Sequence, residues 1–184
     1  MVFPGFRCDF RISIHSGHAK RPGTETNWLM IRKDVRLSHY RDGVNDYETL
    51  LLGDFEFQSG QVLPDTKLTY KTYGSLNSDH SNAILIAVPV NGTHEDAAAI
   101  HIEGDERAIN PNEHFIVIPD MFGNGLSSSP SNTPAPFDGP NFPTVTIYDN
   151  VRAQHALVTE QLGISKLKLV TGFSMGGLQA YHWA

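Results

Sequence analysis

The stretch KLKLVTGFSMGGLQAYHWA (166–184) constrains the fold more than any other part of the chain. An apolar strand-like run meets a sharp Gly-x-Ser-x-Gly turn, and a helical pattern comes next. The turn is Gly172-Phe173-Ser174-Met175-Gly176. A serine on such a corner is lifted above the sheet edge, with its hydroxyl exposed. The flanking glycines leave room for neighbouring backbone at the corner. The helix behind it aims its first amides at the place where an oxyanion would develop. Ser174 is therefore the candidate nucleophile, and the backbone N–H of Met175 is one candidate oxyanion donor. The plainer alternative is that Ser174 only caps the helix. Its position between a buried strand and a helix argues for the nucleophile.

The rest of the chain supplies the sheet that such a turn needs. In GDFEFQSG (53–60), Phe55 and Phe57 alternate with acids, as in a half-buried strand. TKLTYKTYG (66–74) alternates again through Leu68 and Tyr70, and the two segments read as an antiparallel hairpin. AILIAV (83–88), HFIVIP (114–119) and KLKLVTGF (166–173) are continuous apolar runs, the mark of strands covered on both faces. A helix is expected from Asp149, capped by it and ended by Gly163. Val151, His155, Val158 and Leu162 would lie on its inner face. Strands alternating with helices imply an α/β chain whose sheet is mostly parallel, with an N-terminal antiparallel hairpin.

Two loops flank the expected site. PVNGTH (89–94) follows the first buried strand, and the backbone N–H of Val90 is the second candidate oxyanion donor. An ordinary turn on Asn91-Gly92 is the equal alternative. Asn91-Gly92-Thr93 also spells a glycosylation sequon, but a loop inside an active site is a poor acceptor. Residues 120–147 form a long loop rich in Ser, Pro, Asn and Gly, with prolines at 130, 134, 136, 140 and 143. A loop of that length within a compact domain usually serves function.

Charge narrows the partners. The net charge is −6. Residues 1–45 carry eight basic and four acidic side chains, a net of +4, and the remainder carries a net of −10. The acidic body offers no electrostatic basis for nucleic-acid binding. No apolar run of about 18 residues is present to span a membrane. Cys8 is the single cysteine, so a reducing, cytoplasmic compartment is expected, with organelle targeting by the basic N-terminus as the alternative. Residues 1–45 lack a sustained period and read as a poorly ordered extension. Residues 46–184 then form the body.

Several segments together carry a family resemblance: LLGDFEFQSGQVLPDTKLTYKTYGSLN, NAILI, PDMFGNGLSSSPSNTP, FPTVTIYDNVRAQHALVTEQLGI and GFSMGGLQAYHWA. From about Leu50 to Ala184 the chain resembles the homoserine O-acetyltransferase-like family of α/β hydrolases. The resemblance implies an α/β-hydrolase fold and two-step acyl transfer. Ser174 would take an acyl group from acyl-CoA, the co-substrate, and pass it to a hydroxyl acceptor such as homoserine. Acyl donor and acceptor are the expected small-molecule partners, without nucleic acid or membrane. A homodimer is a candidate assembly for the full-length enzyme. No cofactor and no metal are implied. The loop 120–134 would lie near the mouth of the site. The segment VPVNG (88–92) and Phe173 depart from the pattern of the homoserine acetyltransferases, and an esterase of small esters fits as well.

The resemblance also implies a triad in the order Ser, Asp, His. The chain ends ten residues after Ser174, so the expectation is a domain truncated after the nucleophile elbow, lacking the triad Asp and His. The last strand would then be an unpaired apolar edge. His182 lies about 12 Å of helical rise from Ser174 and reads as a surface or packing residue. His94, in the oxyanion loop, is a minor alternative base. His15 and His18 have no further ligands nearby to make a metal site. An inactive remnant is the third functional reading.

Overall fold

The computed structural model describes residues 46–103 and 107–184. The N-terminal extension expected over residues 1–45, with Cys8, His15 and His18, lies outside the described residues.

The hairpin forms where alternation placed it. Strand β1 runs over Glu48–Glu56 and β2 over Val62–Tyr73. They pair antiparallel, with Glu48 opposite Tyr70 and Glu56 opposite Val62. The register slips on both sides of Gly53, which takes φ +65°. That irregularity keeps Leu50 and Leu52 on the inner side before it, and Phe55 and Phe57 after it. Phe55, Phe57 and Phe122 then meet with ring centroids 5.1–5.5 Å apart.

The three apolar runs become β3 (Ala83–Ala87), β4 (Phe115–Pro119) and β5 (Leu169–Gly172). The sheet order is β1-β2-β4-β3-β5. Strands β3, β4 and β5 are mutually parallel, and β2 joins β4 antiparallel. Two helical layers explain the continuous apolar runs. On one face, Ile84, Ile86 and Val88 pack with Ile116, Ile118 and the alanines of α1 (His94–His101). On the other, Ala83, Leu85 and Ala87 pack with Val151, Val158, Ala180 and Trp183. Those partners come from α2 (Ile147–Ala156), the turn after it, and α3 (Met175–His182) with its C-cap. With side chains alternating across the sheet, both faces must be apolar.

Three expectations need correction. Helix α2 begins at Ile147, with Thr146 as its cap. Asp149 is the third helical residue. Its carboxylate accepts from the Thr146 N–H and hydroxyl at 2.9 and 2.8 Å, and its own N–H donates to the Thr146 hydroxyl. This is a capping box, in which the acid reaches back to the cap. Second, the helix does not keep one period to Gly163. Residues Leu157–Gln161 form a π-helical turn, which puts an extra residue into the turn, so Leu157 and Val158 are both buried while His155 and Leu162 are half-buried. Gly163 does end it, at φ +65°. Third, the loop after β3 is shorter than 89–94: His94 opens α1, with Thr93-x-x-Asp96 as its start signal. The N–H and hydroxyl of Thr93 donate to Asp96 at 2.8 and 3.1 Å.

Strand β2 has twelve residues, whereas β4 has five and covers only Tyr70–Tyr73. The upper edge of β2 is closed by the Ser-rich loop. The N–H of Thr69 donates to the Ser127 hydroxyl and that of Lys67 to the Ser128 hydroxyl, each at 2.9 Å. Ser128 N–H returns a bond to the Lys67 carbonyl. Serines satisfy buried backbone where no strand is available.

Candidate active site

The carboxyl ends of β3, β4 and β5 lie along one edge of the sheet, and three short segments leave from it: 88–93, 120–124 and 172–177. Open α/β sheets bind their ligands at that edge.

The segment after β5 is a strained corner. Ser174 has φ +55° and ψ −118°, a conformation that side-chain-bearing residues rarely adopt. Ser174 is exposed, and Met175 opens α3 immediately after it. The Met175 N–H thus belongs to the first helical turn, whose amides have no partner four residues back. The two motif glycines are required by packing. A β-carbon on Gly176 would stand 2.2 Å from the Ala87 carbonyl oxygen, and one on Gly172 would stand 2.5 Å from the Gly176 carbonyl carbon. The corner can form only because both positions leave that space to backbone.

The segment after β3 carries Val90. Pro89–Gly92 is a four-residue turn closed by the Gly92 N–H on the Pro89 carbonyl, with Asn91 at φ +56°. The Asn91-Gly92 turn and the candidate oxyanion segment are therefore one piece of chain, and Val90 occupies the turn's second position. Its start touches the elbow, since the Val88 carbonyl lies 3.2 Å from where a Gly176 β-carbon would be.

The segment after β4 is organised by Asp120, which is fully buried. Its carboxylate accepts from the His94 N–H at 2.9 Å, His94 Nδ1 at 2.8 Å, the Thr69 hydroxyl at 3.0 Å and Asn124 Nδ2 at 3.1 Å. Asn124 also donates to the Gly92 carbonyl at 3.3 Å. The start of the long loop thus holds the far end of the Val90 segment. A buried carboxylate endures only when so many donors replace water.

Residues 105–184 match the family model of the alpha/beta hydrolase fold. The crystal structure of the acetyl esterase MekB superposes with a TM-score of 0.72 at 41 % identity, over 76 % of this chain and 40 % of that one. This chain has the α/β-hydrolase fold. Among curated proteins, an ethyl acetate hydrolase of Pseudomonas veronii is 43 % identical over 138 residues, covering 75 % of this chain and 39 % of the relative. A homoserine O-acetyltransferase of Zymomonas mobilis is 38 % identical over 149 residues, covering 73 % and 39 %. The chain therefore spans about two fifths of the length of the curated relatives it matches, and those relatives include acyltransferases and esterases.

Three histidines have defined places of their own. His155 lies against Trp183, ring centroids 5.9 Å apart, and burial pushes its pKa down. His182 is exposed near the end of α3. His94 is committed through Nδ1 to Asp120, with the Tyr47 ring edge-on at 5.6 Å. Among the described residues no three His, Cys, Asp or Glu side chains are grouped to hold a metal ion, and no helix is long and apolar enough to cross a membrane. An open groove of about 580 Å³ lies along the later part of the long loop, lined by Phe137, Phe142 and Gln61 among others. It includes neither Ser174 nor Val90.

Sequence reasoning missed Asp120 and its web. One signal was present: an acid placed directly after a buried parallel strand, in FIVIPD (115–120). Two of its partners, His94 and Thr69, lie 26 and 51 residues away, beyond the reach of any local pattern.

Proposed function

We propose that the protein transfers a small acyl group through Ser174, with water as the final acceptor, as an esterase of small acyl esters. The observation that carries this is the backbone of Ser174, held at φ +55° on a glycine-flanked corner at the edge of a parallel sheet. Such strain persists where the geometry itself is used. The Ser174 oxygen attacks the ester carbonyl carbon, and its proton passes to a general base. The N–H groups of Met175 and Val90 receive the oxyanion. The C–O bond to the alcohol breaks, the alcohol leaves with that proton, and the acyl group stays on Ser174. Water then attacks, releasing the acid and returning the proton to the serine oxygen. The similarity to an ethyl acetate hydrolase and an acetyl esterase supports a small, acetyl-sized group.

The second reading is an O-acyltransferase that moves an acetyl group from acyl-CoA to a hydroxyl such as that of homoserine. The similarity to a homoserine O-acetyltransferase favours it. One experiment decides between them. The native full-length protein is given an acetate ester with no acceptor, and separately acetyl-CoA with and without homoserine. Ester turnover without acceptor supports the esterase. Thiol release that requires homoserine supports the transferase. Ser174→Ala should lower either activity by about a thousandfold or more. Activity unchanged in Ser174→Ala would overturn both.

A further inference from the structure

Behind the elbow, three buried side chains form a one-way chain of hydrogen bonds. Trp183 Nε1 donates to Gln154 Oε1 at 2.9 Å. Gln154 Nε2 donates to Gln179 Oε1 at 2.5 Å. Gln179 Nε2 donates to the Val88 carbonyl at 3.0 Å and faces Met121 Sδ at 3.0 Å. Direction is fixed at both ends, because an indole N–H can only donate and a carbonyl can only accept. Both amides therefore have a single orientation. Gln154 and Gln179 are fully buried, so the bonds face no competition from water.

The position of this chain suggests more than packing. Gln179 sits on α3, five residues after Ser174. Val88 begins the segment that carries Val90, and Met121 comes directly after Asp120 at the end of β4. One side chain thus ties together the segments leaving β3, β4 and β5. Asn124 holds the other end of the Val90 segment through the Gly92 carbonyl. The turn between the two anchors is where the Val90 N–H must be aimed.

We propose that Gln179 is a positioning residue for the oxyanion hole. It sets the Val88–Gly92 segment against the nucleophile helix, so that Val90 and Met175 present their N–H groups to one point. The proposal rests on the acyl-serine reading above. The oxyanion develops in the tetrahedral intermediate and the transition states flanking it, not in the bound ester, so a misplaced donor lowers kcat and leaves substrate affinity nearly unchanged.

The test compares Gln179→Glu and Gln179→Met with wild type in the native full-length protein. Glu keeps an acceptor for Gln154 but sets a carboxylate against the Val88 carbonyl. Met keeps the volume and removes both polar functions. Turnover is read per folded, titratable active site, with hydrogen exchange at the amides of residues 88–94 as a second readout. The expected result is a fall in kcat of about tenfold in both variants, with KM within about twofold, and faster exchange in 88–94 than in β2. Unchanged kcat per folded molecule, or equal loosening of β2 and the segment, would overturn the proposal and leave Gln179 a packing residue. If wild type turns over neither ester nor acyl-CoA, the functional reading fails. Exchange then decides the anchor alone: selective loosening of 88–94 upholds it, and no change removes it.

Discussion

The elbow and the Asp120 web both shape the carboxyl edge of the sheet, yet they are built in opposite ways. The elbow is local. Five consecutive residues create it, and their glycines and serine are legible as a pattern. The web is distributed. Asp120, Thr69, His94 and Asn124 come from a strand end, a second strand, a helix start and a loop. The elbow is specified by what is absent, a β-carbon at two positions. The web is specified by what is present, one carboxylate meeting several donors. Tolerance should differ accordingly: the elbow resists any added atom, and the web resists any removed one.

Removing the hub of the web should have the largest effect. Asp120→Ala leaves His94 and Thr69 buried without their acceptor, and stability should fall by about 4 kcal/mol in denaturant melts. A loss below about 1 kcal/mol would show the web to be dispensable. Adding an atom to the elbow comes next. Gly176→Ala drives a β-carbon against the Ala87 carbonyl, and about 3 kcal/mol should be lost. Soluble, fully stable Gly176→Ala protein would mean the corner yields more easily than its geometry implies. Relaxing the elbow should go the other way. Ser174→Gly removes the side chain from a strained backbone and should gain about 1 kcal/mol while abolishing turnover. Equal or lower stability would place the strain elsewhere.

The smallest effect concerns pH. Burial lowers the pKa of His155 in the folded chain, so the unfolded chain binds more protons near its ordinary pKa. His155 therefore lets the fold keep its full stability above about pH 6.5 and withdraws part of it as pH falls below that. His155→Phe, which retains a ring against Trp183, should flatten the fall in Tm between about pH 7 and pH 5 by about 2 °C. An unchanged slope would assign the acid sensitivity to other groups, His101 among them, whose pKa burial also lowers.

The same contrast explains what could be read in the sequence. The hairpin at Phe55–Tyr70, the three apolar runs and the Ser174 corner arise from side-chain period and local backbone demands. Helix α1 carried a start signal at Thr93 and Asp96, but its alanine-rich body gave no apolar stripe to notice. Strand β5 is shorter than its apolar run: Leu167 is buried but precedes the ladder, and the paired residues begin only at Leu169. The π-helical turn at Leu157–Gln161 shifted the inner face of α2, a change no regular period foretells. The Gln154–Gln179 pair joins two helices across 25 residues, and polar side chains with buried partners look in sequence like any surface glutamine.

The serine-closed edge of β2 has a consequence for synthesis on the ribosome. The hairpin can pair as soon as Tyr73 emerges, but the hydroxyl that caps Thr69 lies 58 residues further along. Counted from Tyr73, at ~5–20 residues per second the edge stays open for roughly 3 to 11 seconds. During that interval its backbone is free to recruit a strand from a neighbouring nascent chain. Codon choice between residues 74 and 128 would therefore bear on yield, because it sets how long the hairpin waits for its cover.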